Sequence, residues 1–164
     1  MVIKLRKPRI TDLKDFHNIF NDKKVTDLLA GYPYPLTLEK AKNKLQEIIK
    51  LNNKGNYYEF AIIFNKKFVG TIALENPSKD KKTFSLGYAI GRKYWGKGIT
   101  TSAIKKIVMF GFDKLKLKKI ISDNDEDNPA SGRVLEKNDF KLIKKISKKR
   151  GKKRVNVLFW AKKK

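Results

Sequence analysis

One eighteen-residue stretch restricts the fold more than any other part of the chain: FSLGYAIGRKYWGKGITT, residues 84–101. An apolar run of strand composition enters a loop with Gly91, Gly96 and Gly98, and the loop opens the best helical pattern in the sequence. Gly96 and Gly98 let backbone approach a ligand closely, and the first turn of a helix leaves N–H groups pointing outward at the positive end of its dipole. The pattern predicts a phosphate site with Lys93 and Lys97 beside it; a glycine-softened turn that binds nothing is the plainer alternative.

Near-matching patterns narrow the phosphate. Gly91 to Lys97 fits seven positions of a nucleoside-triphosphate loop, but the eighth is Gly98, where Ser or Thr would hold magnesium. The dinucleotide pattern fails at Thr101, the third glycine position, and at Lys118-Lys119, where an acid would hold the ribose. A pyrophosphate bound without metal remains.

At 164 residues the expectation is a single domain over 1–164. Forty Lys and Arg against sixteen Asp and Glu give a formal charge of +24. Lysine spread along nearly the whole chain suits an anionic partner, nucleic acid or ribosome, and equally suits host composition or adaptation to heat. The absence of cysteine excludes disulfides, thiolate catalysis and cysteine metal sites. The start, Met1 to Pro8, is too short and charged for a signal peptide, and no apolar run approaches spanning length, so a soluble cytoplasmic protein is expected, with no membrane partner.

Val2 to Arg6 reads as a strand, and Thr11-Asp12 starts a helix with Leu13, Phe16, Ile19 and Phe20 on one face. A second helical piece is expected from Val25 to Leu29. After the break Gly31-Tyr32-Pro33-Tyr34-Pro35, Thr37 opens a helix burying Ala41, Leu45, Ile48 and Ile49; the aromatic break either lines a substrate mouth or packs down as a connector. Tyr57–Phe64, Phe68–Leu74 and Thr83–Ile90 predict an antiparallel meander. The post-glycine helix carries Ile99, Ala103, Ile104, Ile107, Val108 and Leu115 inward and leads to a strand at Lys119–Ser122, a crossover that makes the sheet turn parallel. Asn128-Pro129 starts a helix through Glu136, and strands at Phe140–Ile146 and Val155–Trp160 flank the basic tip Lys148–Lys153. The fold class is mixed α/β, an antiparallel amino-terminal sheet continuing into a parallel pair, with helices on both faces and a cleft where pairing changes.

Three signatures in this order resemble the GNAT superfamily of acetyl-CoA-dependent N-acetyltransferases, in the branch of Rim-type ribosomal-protein amino-terminal acetyltransferases. They are Gly87-Tyr88-Ala89-Ile90, then Tyr94-Trp95-Gly96-Lys97-Gly98-Ile99-Thr100-Thr101, then Asn128-Pro129-Ala130-Ser131 with Val134-Leu135-Glu136-Lys137 and Phe140. The resemblance implies that the amides from Tyr94 to Thr100, through Trp95, Gly96, Lys97, Gly98 and Ile99, hold the CoA pyrophosphate beside Lys93. It implies that the backbone of Tyr88, Ala89 and Ile90 pairs with pantetheine, a bulge supplying the splay, that Asn128 bonds the same arm, and that Ser131 lies near the thioester sulfur.

Departures from the family pattern are equally specific. Lys93 stands where Arg or Gln is usual. Leu135 replaces a frequent tyrosine acid, leaving Ser131 as the catalytic candidate. Asp139 occupies a position usually held by glycine, and Ser85 replaces a common glutamate. Glu75 and the run Asp123 to Asp127 are the carboxylates available as a base. That run mimics a calcium loop but lacks its Gly and Glu, so no metal is expected, and lone His17 is expected to pack or cap. An amine attacking acetyl-CoA directly, with a protein α-amino terminus as acceptor, is the leading expectation, from a monomer or homodimer. A small amine such as a polyamine or aminoglycoside is one alternative, and a non-catalytic CoA- or RNA-binding module is another.

Overall fold

The computed structural model describes residues 2–29, 32–52, 54–150 and 153–164. Gly31 and the tip residues Gly151 and Lys152 of the sequence expectations lie outside them. The first strand, β1 (Ile3–Arg6), passes through a short 3₁₀ turn into α1 (Leu13–Phe20). Asp12 fixes that turn: its carboxylate accepts from the Arg9 amide at 2.8 Å and from both Arg6 guanidinium nitrogens at 2.8 and 2.5 Å. Helix α2 (Lys23–Thr26) starts two residues earlier than Val25 and ends three before Leu29, because the Asp22 carboxylate caps it by accepting from the Lys24 amide. Thr37 caps α3 (Leu38–Leu51) by accepting from the Lys40 amide, and Ala41, Leu45 and Ile48 form its buried stripe.

Strands β2 (Tyr58–Phe64), β3 (Lys67–Glu75) and β4 (Thr83–Ile90) form the expected antiparallel meander. Positive φ at both Asn65 and Lys66 gives the two-residue β2–β3 connection the twist that hairpins favour. Helix α4 (Ile99–Asp113) crosses over to β5 (Lys119–Asp125), then come α5 (Pro129–Glu136), β6 (Lys141–Arg150) and β7 (Lys153–Lys163). The seven-stranded sheet runs β1-β2-β3-β4-β5-β7-β6, and only β4 and β5 are parallel. β6 and β7 run well beyond the ranges expected from apolar residues, because extended lysines continue their ladder to Arg150 opposite Lys153.

Strand alternation distributes the core to both faces. Ile62 and Ile72 pack with Ile104, Ile107 and Ile120 under α4, whereas Ala61 and Phe68 pack with Phe16, Phe20 and Leu45 under α1 and α3. Leu115 lies past the end of α4 but still rests on the first cluster, and Phe140 is buried just ahead of β6. Asp139 does adopt positive φ, +60°, as its place in the sequence required. No helix among the described residues is long and apolar enough to cross a membrane.

Candidate active site

Where β4 and β5 part, the sheet opens a cleft of about 560 Å³. Their parallel ladder covers only Thr83–Ser85 against Lys119–Ile121. Just beyond it the buried Ser122 hydroxyl donates to the Leu86 carbonyl at 2.9 Å, taking the place of the next ladder bond. By alternation the amides of Tyr88 and Ile90 then face the widening gap without a strand partner, while Gly87 and Ala89 pair towards β3. The expected bulge is absent: β4 stays in continuous register with β3 from Ser85 to Ile90. The splay comes from the early end of the β4–β5 ladder, and Gly70 allows it from below, since a Cβ there would lie 2.2 Å from the Ala89 carbonyl.

The glycine loop closes one end of this gap. Gly96 and Gly98 have φ of +72° and +71°, and Gly98 caps α4. The first i to i−4 bond of α4 runs from the Ser102 amide to Gly98, so the amides of Ile99, Thr100 and Thr101 emerge unpaired by the helix. A Cβ on Gly96 would meet nothing within 4 Å, so the loop borders open space. The Lys93 and Lys97 ammoniums stand 5.1 and 5.7 Å from the Tyr94 ring centre, and both residues are exposed. Two supports were not legible in sequence: the Trp95 indole N–H donates to the Ile90 carbonyl at 2.9 Å, and Arg92 pairs with Asp22 at 2.9 Å. This donor set, helix-terminal amides plus two exposed ammoniums and no hydroxyl at Gly98, fits a pyrophosphate group.

Helix α5 forms the opposite wall. Asn128 caps it, its side-chain oxygen accepting from the Ser131 amide at 3.3 Å, which leaves its NH₂ group as the donor for another partner. Ser131 lies one turn in, and its hydroxyl is 2.7 Å from the phenol oxygen of Tyr88. Sequence assigned Tyr88 a backbone role only; its side chain, pointing to the α5 face, adds a second proton-bearing group beside Ser131. Burial pushes that phenol up to about 12, the bond to Ser131 partly opposing this, so it carries its proton at neutral pH. Leu135 is fully buried core.

The other face of β4 is acidic. Glu75 lies opposite Ser85, and its carboxylate is 3.3 Å from where a Gly87 Cβ would be, so Gly87 gives it access to the gap. Burial raises Glu75 above the ordinary carboxylate range, with Lys44 acting the other way. Glu59 on β2 is buried; its carboxylate bonds the Tyr57 hydroxyl, and burial raises it despite that bond and one from Thr71. Tyr57 and Tyr32 are raised in turn, first by burial and then by Glu59. The signal for Glu59 in the sequence is a charged residue in step with inward Ala61, a position not expected to carry function. Asp123 and Asp125 also line the cleft, whereas Glu126 is held outside it by Lys145 and Asn156.

Tyr32 combines both expectations for the aromatic break: its ring stacks on Phe20 at 4.6 Å and also lines the cleft, while Tyr34 is exposed. His17 Nε2 is 2.8 Å from the Leu36 carbonyl and ties α1 to the turn before α3. Among the described residues no group of three or more acids or histidines is arranged to hold a metal ion.

A family model described as "Acetyltransferase (GNAT) domain" matches residues 3–141. The uncharacterized N-acetyltransferase p20 of Bacillus licheniformis is 26% identical over 152 residues, 90% of this chain and 85% of that protein. The ribosomal-protein-serine acetyltransferase of Escherichia coli K12 is 24% identical over 104 residues, 63% of this chain and 58% of its own length. Among solved structures, RimL, the ribosomal L7/L12 α-N-protein acetyltransferase, in complex with CoA shares the fold with a TM-score of 0.90 and 17% identity, over 99% of this chain and 94% of that one.

Proposed function

Because this chain belongs to the GNAT acetyltransferase family, we propose that it acetylates a protein α-amino terminus with acetyl-CoA as donor. The observation that carries the reading is the junction of an unpaired β4 edge, a left-handed glycine cradle and the Ser131–Tyr88 hydroxyl pair around one cleft. When bound, acetyl-CoA supplies the acetyl thioester that an amine attacks.

In this reading the amides from Gly96 to Thr100 receive the pyrophosphate, since those expected of Tyr94 and Trp95 already donate to the Gly91 and Arg92 carbonyls at 2.8 and 3.1 Å, and Lys93 and Lys97 neutralise it. The Tyr88 and Ile90 edge accepts an extended arm as an added strand, and the Asn128 NH₂ donates to the same arm. Ser131 Oγ holds a transferable proton at the α5 wall, and the Tyr88 phenol orients that hydroxyl and can replace the proton it gives up. From the opposite face Glu75, raised by burial, accepts the proton an ammonium must lose. A terminal amine needs little such help, since its ordinary pKa of about 7.7–8.0 leaves part of it neutral, against about 10.4 for lysine. The named relatives that act on ribosomal proteins support the same acceptor class. The compartment this implies is the cytoplasm, where the cofactor's thiol stays reduced.

A second reading, a small polyamine acceptor, draws on the four carboxylates of Glu59, Glu75, Asp123 and Asp125 around the cleft. Incubation with acetyl-CoA and a panel of lysine-free peptides, amino-blocked lysine peptides and spermidine, read by mass spectrometry, separates the two. Acetyl on the α-amine is the expected product; modification of spermidine alone would transfer the assignment to the second reading. Ser131→Ala should lower kcat by about 10²-fold with acetyl-CoA affinity nearly unchanged.

A further inference from the structure

The charge of this protein is less evenly spread than its lysine content suggests. Residues 141–164 contain twelve Lys and Arg and no acid, so the segment that forms the two closing strands carries half of the net +24. Those strands do not end with the sheet. β5 follows β7 only from Lys163 to Val157, whereas the β6–β7 ladder continues to Arg150 opposite Lys153, so a two-stranded ribbon projects past Asp125. β4 and β5 run parallel towards that same end, where the glycine loop and the cleft lie.

Edge protection alone does not require this. β1, the other edge of the sheet, carries only Lys4 and Arg6, and Arg6 is tied to Asp12. On the ribbon, Lys145 and Lys162 are matched by Glu126 and Asp139, while Lys148, Lys149 and Arg154 are exposed with no acid within ion-pair distance among the described residues.

We infer that the β6–β7 ribbon docks RNA beside the cleft. Lys144 and Lys148 share one face of β6 on either side of Ile146, and Lys149 and Arg154 stand opposite each other on the other face, so the ribbon presents cations on both faces to a phosphodiester chain. The half-buried Phe159 ring, with the Lys144 and Lys148 ammoniums at 5.1 and 4.8 Å, offers a stacking face flanked by charge. Ser147, exposed opposite Asn156, adds a neutral donor and acceptor for a ribose hydroxyl. A bilayer is a poorer fit, because the apolar side chains it could take up, exposed Leu142 and Ile143 and half-buried Phe159, all lie at the ribbon's base, and the projecting part has no aromatic or leucine side chain to insert. That the RNA would bring an acceptor protein to the cleft rests on the acetyltransferase reading; the docking itself does not.

The test is fluorescence anisotropy of the full chain with labelled oligouridine RNA, its DNA counterpart, and phosphatidylserine vesicles, between about 50 and 200 mM salt. Two variants are compared. One carries Lys144→Gln, Lys148→Gln, Lys149→Gln and Arg154→Gln; the other carries Lys42→Gln, Lys50→Gln, Lys105→Gln and Lys106→Gln, an equal charge change on exposed helix positions. The ribbon variant should lose at least about tenfold in RNA affinity and flatten the log–log salt slope by roughly 3, at about 0.7 per phosphate contact. The helix variant should lose less than about twofold. No binding at low salt, equal losses in both variants, equal affinity for DNA, or ribbon-dependent binding to vesicles alone would each overturn the inference. The thermal shift given by acetyl-CoA should be the same in both variants, which keeps this result separate from the fate of the acetyltransferase reading.

Discussion

Asn124 is the residue on which the position of Ser131 depends, and replacing it by alanine has a cost that can be worked out from the structure. Its side-chain oxygen accepts from the Trp160 indole N–H at 2.7 Å, and its NH₂ group donates to the carbonyls of Asp125 at 2.7 Å and Asn128 at 3.2 Å. Asn124 and Trp160 are both buried, and α5 packs close to them because Gly132 has no side chain; a Cβ there would be 3.3 Å from the Trp160 ring. Asn124→Ala leaves a buried indole N–H unpaired, at about 1–3 kcal/mol, and loses two further bonds of about 0.5–1.5 kcal/mol each, whose carbonyls can partly recover water. Roughly 3 kcal/mol is expected in urea unfolding, or a Tm lower by about 6–12 °C for a chain of this length. Hydrogen exchange should speed up first at amides of residues 128–135, since the Asn128 turn that starts α5 loses its anchor. In a Trp160→Phe background the same substitution should cost about 1 kcal/mol less, because no indole N–H is left to orphan. A change below 0.5 kcal/mol, or exchange unaltered in α5, would refute the role given to Asn124.

Gly70→Ala places a Cβ 2.2 Å from the Ala89 carbonyl and 2.8 Å from the Ile90 Cα, both backbone, so it should displace the cofactor edge of β4 and show as loss of acetyl-CoA binding with a destabilised fold. Burial holds Glu59 above its ordinary value, so the folded state binds more protons there than the unfolded state, and stability falls as pH rises from about 4.5 through the raised value. Glu59→Gln should therefore flatten that decline, measured by urea unfolding at pH 5 and 8; an unchanged slope would mean the carboxylate is not desolvated. Tyr88→Phe should reduce kcat while leaving the KM for acetyl-CoA within about twofold, and a rise in KM alone would assign its hydroxyl to binding.

Local chemistry made much of the fold legible. The β-rich runs of β2 to β4, the stripe Ala41, Leu45 and Ile48 on α3, and the helix opened by Gly98 all act through neighbours in sequence, and each lies where its pattern puts it. What escaped depends on partners far along the chain. The splay arises from the Ser122 hydroxyl meeting Leu86 thirty-six residues away, and the Tyr88 phenol meets Ser131 at a separation of forty-three. Neither pairing leaves a periodic trace. Glu59 did leave one, a charge on an inward strand position, and the extent of the basic ribbon was visible as twenty-four residues without an acid.

The most direct test of the account is thermal unfolding with acetyl-CoA, with and without EDTA. A competent cradle predicts a Tm that rises with ligand concentration, equivalent to about 2.7 kcal/mol at a hundredfold excess over Kd, and insensitive to EDTA because Gly98 leaves the loop without a magnesium ligand. No shift at millimolar acetyl-CoA, or a shift that disappears with EDTA, would contradict it.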